Sequence, residues 1–367
     1  MTKLEQLIEQ LCLDGVEYKK LIDSISIQRG TRVVRNQLSS DGQFPVYQNS
    51  LTPLGYHTEY NCNKNTTFII VAGAAGEIGF STVDFWAADD CFCLVCDDKI
   101  IDRYLYHALL NQQASIYSKV RKASIPRLGR SVVESIIIPI PPLEVQVEIV
   151  RILDKFTELT TELATELANR KKQYEYYSRQ LFTAAKNTQL TTLEQISLNC
   201  DSQRKPVTSN KRTSGIYPYY GASGIVDYVD AYIFDGDYLL ISEDGANLLA
   251  RNTPIAFSVS GKTWVNNHAH VLKFDNYHTR RYVEIYLNSI DLSPYISGAA
   301  QPKLNQKNLN KIEIPLPPIE EQRRIVDILD RFDKLCNDIT EGLPAEIEAR
   351  QKQYEYYRDK LLSFNCK

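Results

Sequence analysis

Apolar positions along this chain follow two periods, and the longer one recurs. In Ile138–Tyr177 the segment IPIPPLEVQ is followed by RILDKF and KQYEYY; in Ile314–Tyr357, IPLPPIEEQ is followed by DILDRF and KQYEYY. The first two blocks recur at an offset of 176 residues (138 to 314) and the last at 180 (172 to 352). A direct repeat of this length predicts that the second half of the chain is built like the first. After each proline pair the pattern predicts a long helix, since proline suits a helix start and not its interior. Leu153, Phe156, Thr160, Leu163, Leu167, Arg170, Tyr174, Tyr177 and Leu181 follow one another at steps of three and four. Most are apolar, and the stripe has the width of a coiled-coil seam rather than a broad core face.

The second copy carries Leu329, Phe332, Cys336, Ile339 and Leu343, then Ile347, Arg350, Tyr354, Tyr357 and Leu361. Its four extra residues form a stutter that keeps the seam facing inward, and Gly342 with Pro344 predicts a kink or short break there. The expected way to cover such stripes is to pack the two helices antiparallel, with one globular unit at each end. Folding of each helix back onto its own domain is the alternative.

The shorter period marks strands: TTFIIVAG at Thr66, FCLVC at Phe92, YLLISEDG at Tyr238 and KTWVNNHAHVL at Lys262. DRYLYHALLNQQ reads as a helix with Asp102 at its N-cap, and residues 1–11 as an amphipathic helix through Leu4, Leu7, Ile8 and Leu11. FPVYQNS corresponds to YPYYGAS, DFWAADDCFCL to KTWVNNHAHVL with Trp86 on Trp264, and DRYLYHAL to RRYVEIYL. The order of elements is shared while the loop residues differ, so one scaffold presents two surfaces. The expected fold is α+β: two similar globular α/β domains, each followed by a long helix, the helices forming an antiparallel, pseudo-twofold coiled coil. The expected boundaries are 1–142 and 187–318 for the domains and 143–186 and 319–367 for the helices.

Composition narrows the class. The chain has 367 residues, 43% hydrophobic and 24% charged, with no run of 18 apolar residues and no signal-like N-terminus. A soluble cytoplasmic protein without a membrane role is expected. A chain of this size predicts thiols rather than a disulfide framework for its eight cysteines. Cys91, Cys93 and Cys96 read as strand positions, not as metal ligands, because their counterparts in the repeat are Ala269, Val271 and Phe274. The net charge of −3 means that any grip on nucleic acid must come from local clusters. Such clusters are present at Arg29–Arg35, Lys119–Arg130, Arg204–Arg212 and the series Lys303, Lys307, Lys311.

Catalytic signatures are missing. There is no G-x-x-x-x-G-K-[ST] loop, G-x-S-x-G elbow or H-E-x-x-H motif, and GAAGEIG at Gly73–Gly79 lacks the spacing of a dinucleotide loop. His268 and His270 in HAH have no evident third metal ligand. No methyltransferase loop of the N/D-PP-Y/F type occurs. A binding protein without cofactor or metal is the expectation.

At this point the residues carry a resemblance. The paired IPIPPLEVQ/IPLPPIEEQ, the ILDKF/ILDRF heptads, the doubled KQYEYY and the block EGLPAEIEARQKQYEYYR resemble the specificity subunits of type I restriction–modification systems over essentially the whole chain. The resemblance implies two target-recognition domains, each reading one half of a split, asymmetric double-stranded DNA target. It implies helices that space the half-sites and dock two adenine-methyltransferase (modification) subunits, with restriction subunits joining the full complex. It implies no catalytic group on this chain. A related bipartite system that cuts on both sides of its site (type IIB-like), or a coiled-coil assembly protein with no DNA role, are the competing readings.

The residues expected to touch DNA are Arg127 and Lys303, which occupy equivalent places in ASIPRL and AAQPKL, together with Lys122 and Arg130. Arg29, Arg32, Arg204, Lys205, Lys211 and Arg212 lie in polar loops at equivalent domain entrances, and Tyr47 and Tyr220 either reach DNA or pack in the core. The helix seam is expected at Leu153, Phe156, Leu163, Leu167, Tyr174, Tyr177, Leu329, Phe332, Ile339, Ile347, Tyr354 and Tyr357. Gln146 and Gln322, at the proline corners, are expected to be exposed and to meet the modification subunits.

Overall fold

Residues 2–185, 187–298 and 301–366 are described in a computed structural model of the chain. Two units emerge from its internal packing: Met1–Ala164 with Glu346–Lys367, and Thr165–Ala345.

In the first unit α1 (Lys3–Leu11) opens with a capping box, in which the Thr2 hydroxyl accepts from the Glu5 N–H and the Glu5 carboxylate accepts from the Thr2 N–H. The strands are β1 (Glu17–Lys20), β2 (Ile25–Arg29), β3 (Phe44–Tyr47), β4 (Gly55–His57), β5 (Thr66–Ile70), β6 (Ile78–Ser81), β7 (Trp86–Ala87) and β8 (Cys91–Cys96). They form an antiparallel sheet in the order β2-β8-β5-β6 and a smaller one in the order β4-β3-β7. Central β5 is buried at every position, which is why TTFII shows no alternation of apolar and polar residues. Then come α2 (Asp102–Asn111), α3 (Gln113–Ser118), α4 (Arg130–Glu134) and β9 (Ile137–Ile140), which returns to pair antiparallel with β1. Asp102 is the first residue inside α2 rather than its cap. Ile101 holds the cap position, and its N–H donates to the Gln146 side chain at 2.9 Å.

Cys62 and Cys93 form a disulfide, against the expectation of thiols throughout. Both lie in a buried cluster with Phe68, Phe85 and Cys91 on one face of the sheet, so chain topology brings together two cysteines 31 positions apart. Cys91 remains a thiol, donating to the Tyr47 and Gln48 carbonyls, and burial pushes it up to about 12.

The long helix α5 (Leu143–Ala184) follows, its residues to Ala164 in the first unit and the rest in the second. The second unit repeats the plan with β10 (Gln189–Thr192), α6 (Leu193–Ile196), β11 (Leu198–Asn199), β12 (Ser214–Gly221), β13 (Gly224–Val229), β14 (Phe234–Ser242), α7 (Asn247–Ala250), β15 (Ala256–Val265), β16 (Ala269–Lys273), α8 (Tyr277–Ser289), α9 (Gln306–Asn310) and β17 (Glu313–Leu316). Its sheet order is β11-β16-β14-β15-β12-β13. The register repeats too. β3 and β7 pair in parallel as Val46↔Trp86 and Tyr47↔Ala87, and β12 and β15 as Tyr219↔Trp264 and Tyr220↔Val265. β10 and β17 pair antiparallel over four residues, as β1 and β9 do. In both units a buried tyrosine on the helix donates to a proline-corner carbonyl: Tyr104 to Pro139 at 3.0 Å and Tyr282 to Pro315 at 2.6 Å.

The C-terminal repeat is two helices, α10 (Ile319–Asn337) and α11 (Leu343–Leu361), so the stutter is realised as a break. Asp338 stops α10: its carboxylate accepts from the Thr340 and Glu341 N–H groups, and its carbonyl accepts from Gly342 N–H at 3.0 Å. A Cβ on Gly342 would lie 2.6 Å from the Asp338 carbonyl oxygen, so the close turn requires glycine. Ile339 falls in this turn and is 78% exposed, a correction to its seam assignment.

Leu153 and Leu329 are fully buried in the cores of their own domains, as are Ile149 and Ile325 one turn earlier. Beyond them the helices pair. In the first unit Phe156 stacks on Tyr357, with ring centroids 5.2 Å apart and planes at 20°. In the second Tyr177 faces Phe332 at 6.1 Å. In the first unit early α5 therefore meets late α11, and in the second late α5 meets α10. The starts of α5 and α10 fold onto their own domains while later parts of the helices pair, so neither alternative read from sequence excludes the other. Tyr354 is buried; Leu163, Leu167, Tyr174 and Ile347 are half-buried.

Candidate nucleic-acid interface

Each unit laces a set of loops together at one end of its sheet, using equivalent backbone hydrogen bonds. In the first unit Arg121 and Arg127 exchange both backbone bonds (2.8 and 3.1 Å), closing a tight loop. Buried Leu128 anchors it by donating its N–H to the Val71 carbonyl at 2.8 Å, while the Gly73 N–H donates to Pro126 at 3.1 Å. Val71 N–H donates to Asp90, Ala74 N–H to Asn49, and Ala88 N–H to Tyr47. Gly73 has φ +81° and approaches Asn49 so closely that a Cβ would sit 2.8 Å from the Asn49 Cβ.

In the second unit Ser297 and Lys303 exchange the same two bonds (2.8 and 2.7 Å), and buried Leu304 donates to Glu243 at 2.8 Å. Gly245 N–H donates to Pro302, Glu243 N–H to His268, and Asn266 N–H to Tyr220. Arg127 and Lys303 thus occupy equivalent backbone positions, as the sequence predicts. Ala299 and Ala300 of AAQPKL lie outside the described residues. The basic entrance segments are pinned alike: the Trp86 indole donates to the Thr31 carbonyl at 2.9 Å and Trp264 to Lys205 at 2.7 Å.

The side chains on this lattice differ in availability. Arg121, Lys122 and Arg127 stand exposed on one loop, with Asn49 exposed beside them. Lys303 is half-exposed, but its ammonium pairs with Glu243 at 3.0 Å. Arg204 is a correction: it is mostly buried, bonded to Glu243 at 2.6 Å and to the Ala269 carbonyl at 2.8 Å, and is committed to holding the domain. Arg212 is similarly engaged, stacked 4.3 Å from the Tyr219 ring and paired with Asp227 at 3.1 Å. Arg130 bonds Glu134 at 2.8 Å and the Ile27 carbonyl at 3.2 Å. Arg29 is exposed with its Nε donating to the Asp89 carbonyl at 3.0 Å; Arg32, Lys205 and Lys211 are exposed.

Tyr47 and Tyr220 resolve toward packing. Tyr47 lies 4.7 Å from Phe68 and 5.6 Å from Phe85, and burial raises its hydroxyl; Tyr220 lies 6.0 Å from Phe257. Gln146 and Gln322 are corrected outright. The Gln146 amide is fully buried and donates to the Pro141 and Lys99 carbonyls, both at 2.8 Å. Gln322 donates to Pro317 at 2.7 Å and accepts from the Thr279 hydroxyl at 2.7 Å. Both glutamines tie the proline corner to its domain and are out of a partner's reach.

Behind the loops of the second unit lies a buried polar group with no counterpart in the first. His270 Nδ1 faces Asp201 at 2.6 Å and Nε2 faces the Leu304 carbonyl at 2.7 Å. Burial opposes ionisation of Asp201 and Glu243. The bonds Asp201 receives from His270 and the Val271 N–H, and those Glu243 receives from Arg204 and Lys303, outweigh it, so both carboxyls lie below their usual range. In the first unit β8 puts Phe92 where β16 puts His270, each opposite an isoleucine of the central strand. Sequence reading weighed His268 and His270 only as a metal pair and missed their carboxylate partners Asp244 and Asp201, and it missed Asn49 on the loops. The signal was available as loop divergence between repeats, but nothing in the residues said which loops converge. Among the described residues no His, Cys, Asp and Glu group is arranged to hold a metal ion, and no helix is long and apolar enough to cross a membrane.

Two copies of one α+β scaffold, each with its own polar loop face and its own stretch of paired helix, define a duplicated recognition protein. The family model described as the type I restriction modification DNA specificity domain matches this chain twice, over residues 14–172 and 186–349. The chain belongs to that family. It is 32% identical to a Haemophilus influenzae protein named as a type I restriction enzyme specificity subunit, covering 99% of both chains. It is 35% identical to the Escherichia coli EcoR124I/EcoR124II specificity subunit over 77% of this chain and 76% of that one. The fold is shared with the S subunit of a type I restriction–modification system from M. genitalium, with a TM-score of 0.66 at 18% identity, covering 95% of this chain and 96% of the other.

Proposed function

We propose that this chain is the sequence-reading subunit of a type I restriction–modification complex, and that each loop face engages one half of a split DNA target. The observation that carries the reading is the repeated loop lattice: the same backbone bonds hold two different sets of exposed side chains. Such a pair suits two unlike half-sites, with cations fixing position on phosphates and loop polar groups reading base edges. Arg127, Lys122 and Arg121 supply phosphate contacts in the first unit. In the second, Lys303 does so by exchanging its bond to Glu243 for one to phosphate. Lys205, Lys211, Arg29 and Arg32 extend the footprint, while Arg204 and Arg212 stay within the domain.

The reading also assigns catalysis to partners. Two adenine-methyltransferase subunits dock on the helices, and restriction subunits join to cleave. The boundaries 1–142, 143–186, 187–318 and 319–367 separate the reading domains from these docking helices. With a net charge of −3, the chain alone binds DNA weakly and salt-sensitively. The experiment is methylation of a randomised duplex library by the chain assembled with its modification subunits. A two-part adenine-methylated motif with a fixed gap is expected; a continuous motif, or none, overturns the reading.

A further inference from the structure

The second loop face contains a side-chain pair that the proposed phosphate contacts do not use. His268 Nδ1 lies 2.9 Å from both carboxylate oxygens of Asp244. A carboxylate only accepts, so Nδ1 carries the proton toward Asp244, which makes Nε2 the acceptor nitrogen whenever the ring holds a single proton. The ring is half-exposed, and its backbone is held on both sides. Its N–H donates to the Asn266 side chain at 2.8 Å, and its carbonyl accepts from Glu243 N–H at 2.9 Å. Asp244 in turn bridges directly to Lys303 across the loop lattice. The acceptor nitrogen is therefore mounted on the ends of β14 and β16, with one ring orientation set by Asp244.

We propose that His268, oriented by Asp244, is a specificity-determining residue of the second unit: its Nε2 accepts a hydrogen bond from the exocyclic amine of adenine or cytosine on one DNA strand. Those two bases present an amine donor in the major groove, whereas guanine and thymine present acceptors at the corresponding position. The first unit cannot build this pair. The position whose carbonyl accepts from the strand end is Asp90 there, bonded from Val71 N–H at 2.8 Å, and the residue bridged to Arg127 is Ala72. Equivalent backbone sites carrying different hydrogen-bonding groups are what two unlike half-sites require. The inference rests on the loop face being the DNA-contacting face.

The test uses the chain assembled with its modification subunits on a library randomised across both half-sites. H268A is expected to reduce discrimination on the order of tenfold at a single base pair of one half-site, leaving the other half-site unchanged. D244A is expected to weaken discrimination at the same base pair, and H268Q, which retains an acceptor, to restore part of it. The inference is overturned by an unchanged preference at every position, by uniform loss across all sequences, or by a native preference for guanine or thymine there. R127A separates the two levels of the argument. If it weakens binding while H268A changes nothing, only the base-reading assignment fails; if both leave binding and preference intact, the loop-face reading fails as well.

Discussion

The two units use the same backbone to different ends, and the difference is sharpest where each domain meets its long helices. In the first unit the lock is built around a buried histidine. His107 is fully buried between Asp154 on α5, 2.8 Å from Nε2, and the Tyr354 hydroxyl on α11, 3.0 Å from Nδ1, with Arg103 also bonded to Asp154 at 2.8 Å. In the second unit the lock is ionic. Arg281, at the position of Arg103, reaches Asp330 at 2.7 Å, Asp333 at 3.1 Å and Glu284 at 2.5 Å, while Ile285 replaces the histidine. Duplication preserved the requirement that α2 and α8 be fixed to the long helices of their own units, and left the chemistry of the fixing free to drift. The loops show the same division, with conserved backbone lacing and divergent exposed groups.

The comparison can be broken most forcefully at the ionic lock. Replacing Arg281 by Ala leaves three carboxylates without their shared cation and is expected to destabilise the second unit by on the order of 3 kcal/mol, seen as an early transition in chemical denaturation. Equal loss from R103A would contradict the assignment, since His107 still satisfies Asp154 in the first unit. Q146A is next. It strands the Ile101 N–H and the buried Pro141 carbonyl and removes the bond to Lys99, at a cost of about 2 kcal/mol, and lowers stability of the chain without its partners. A variant with native stability but defective assembly would restore the surface role expected from sequence.

The pH dependence should separate the units more gently. Burial holds the His107 imidazole below its ordinary value of 6.5, although the Asp154 bond opposes this. As pH falls below about 6.5 the unfolded chain takes up a proton that folded His107 does not, so stability present above that pH is lost on acidification. The second lock carries no histidine. Local amide exchange around α2 should therefore rise between pH 6.5 and 5 before that around α8, and H107Q should abolish the difference. The smallest effect is expected from I339S, within about 0.5 kcal/mol, because the side chain lies in an exposed turn.

Much of this arrangement is legible in sequence because it is repetitive. The proline corners, the heptads and the paired Trp86 and Trp264 mark matched elements, and the four-residue insertion marks the break at Gly342. Pattern cannot resolve what depends on tertiary partners. Gln146 and Gln322 read as surface residues until the corner carbonyls are seen around them. Arg204 looks like any loop cation until Glu243, some forty positions away, is found beside it. Asp102 has the composition of an N-cap but sits one residue inside the helix, with Ile101 at the cap and its N–H bonded to Gln146.

The central claim is that the two loop faces act on separate halves of one DNA target, and the exposed cations of the first unit test it directly. The chain carrying Lys122→Ala and Arg127→Ala, assembled with its modification subunits, can be titrated against its cognate duplex across a range of salt concentrations and footprinted at each half-site. Loss of about two phosphate contacts should lower the salt slope by about two and remove protection over one half-site only, with the other half-site and the gap unchanged. An unaltered slope, or equal loss of protection over both half-sites, would contradict the account.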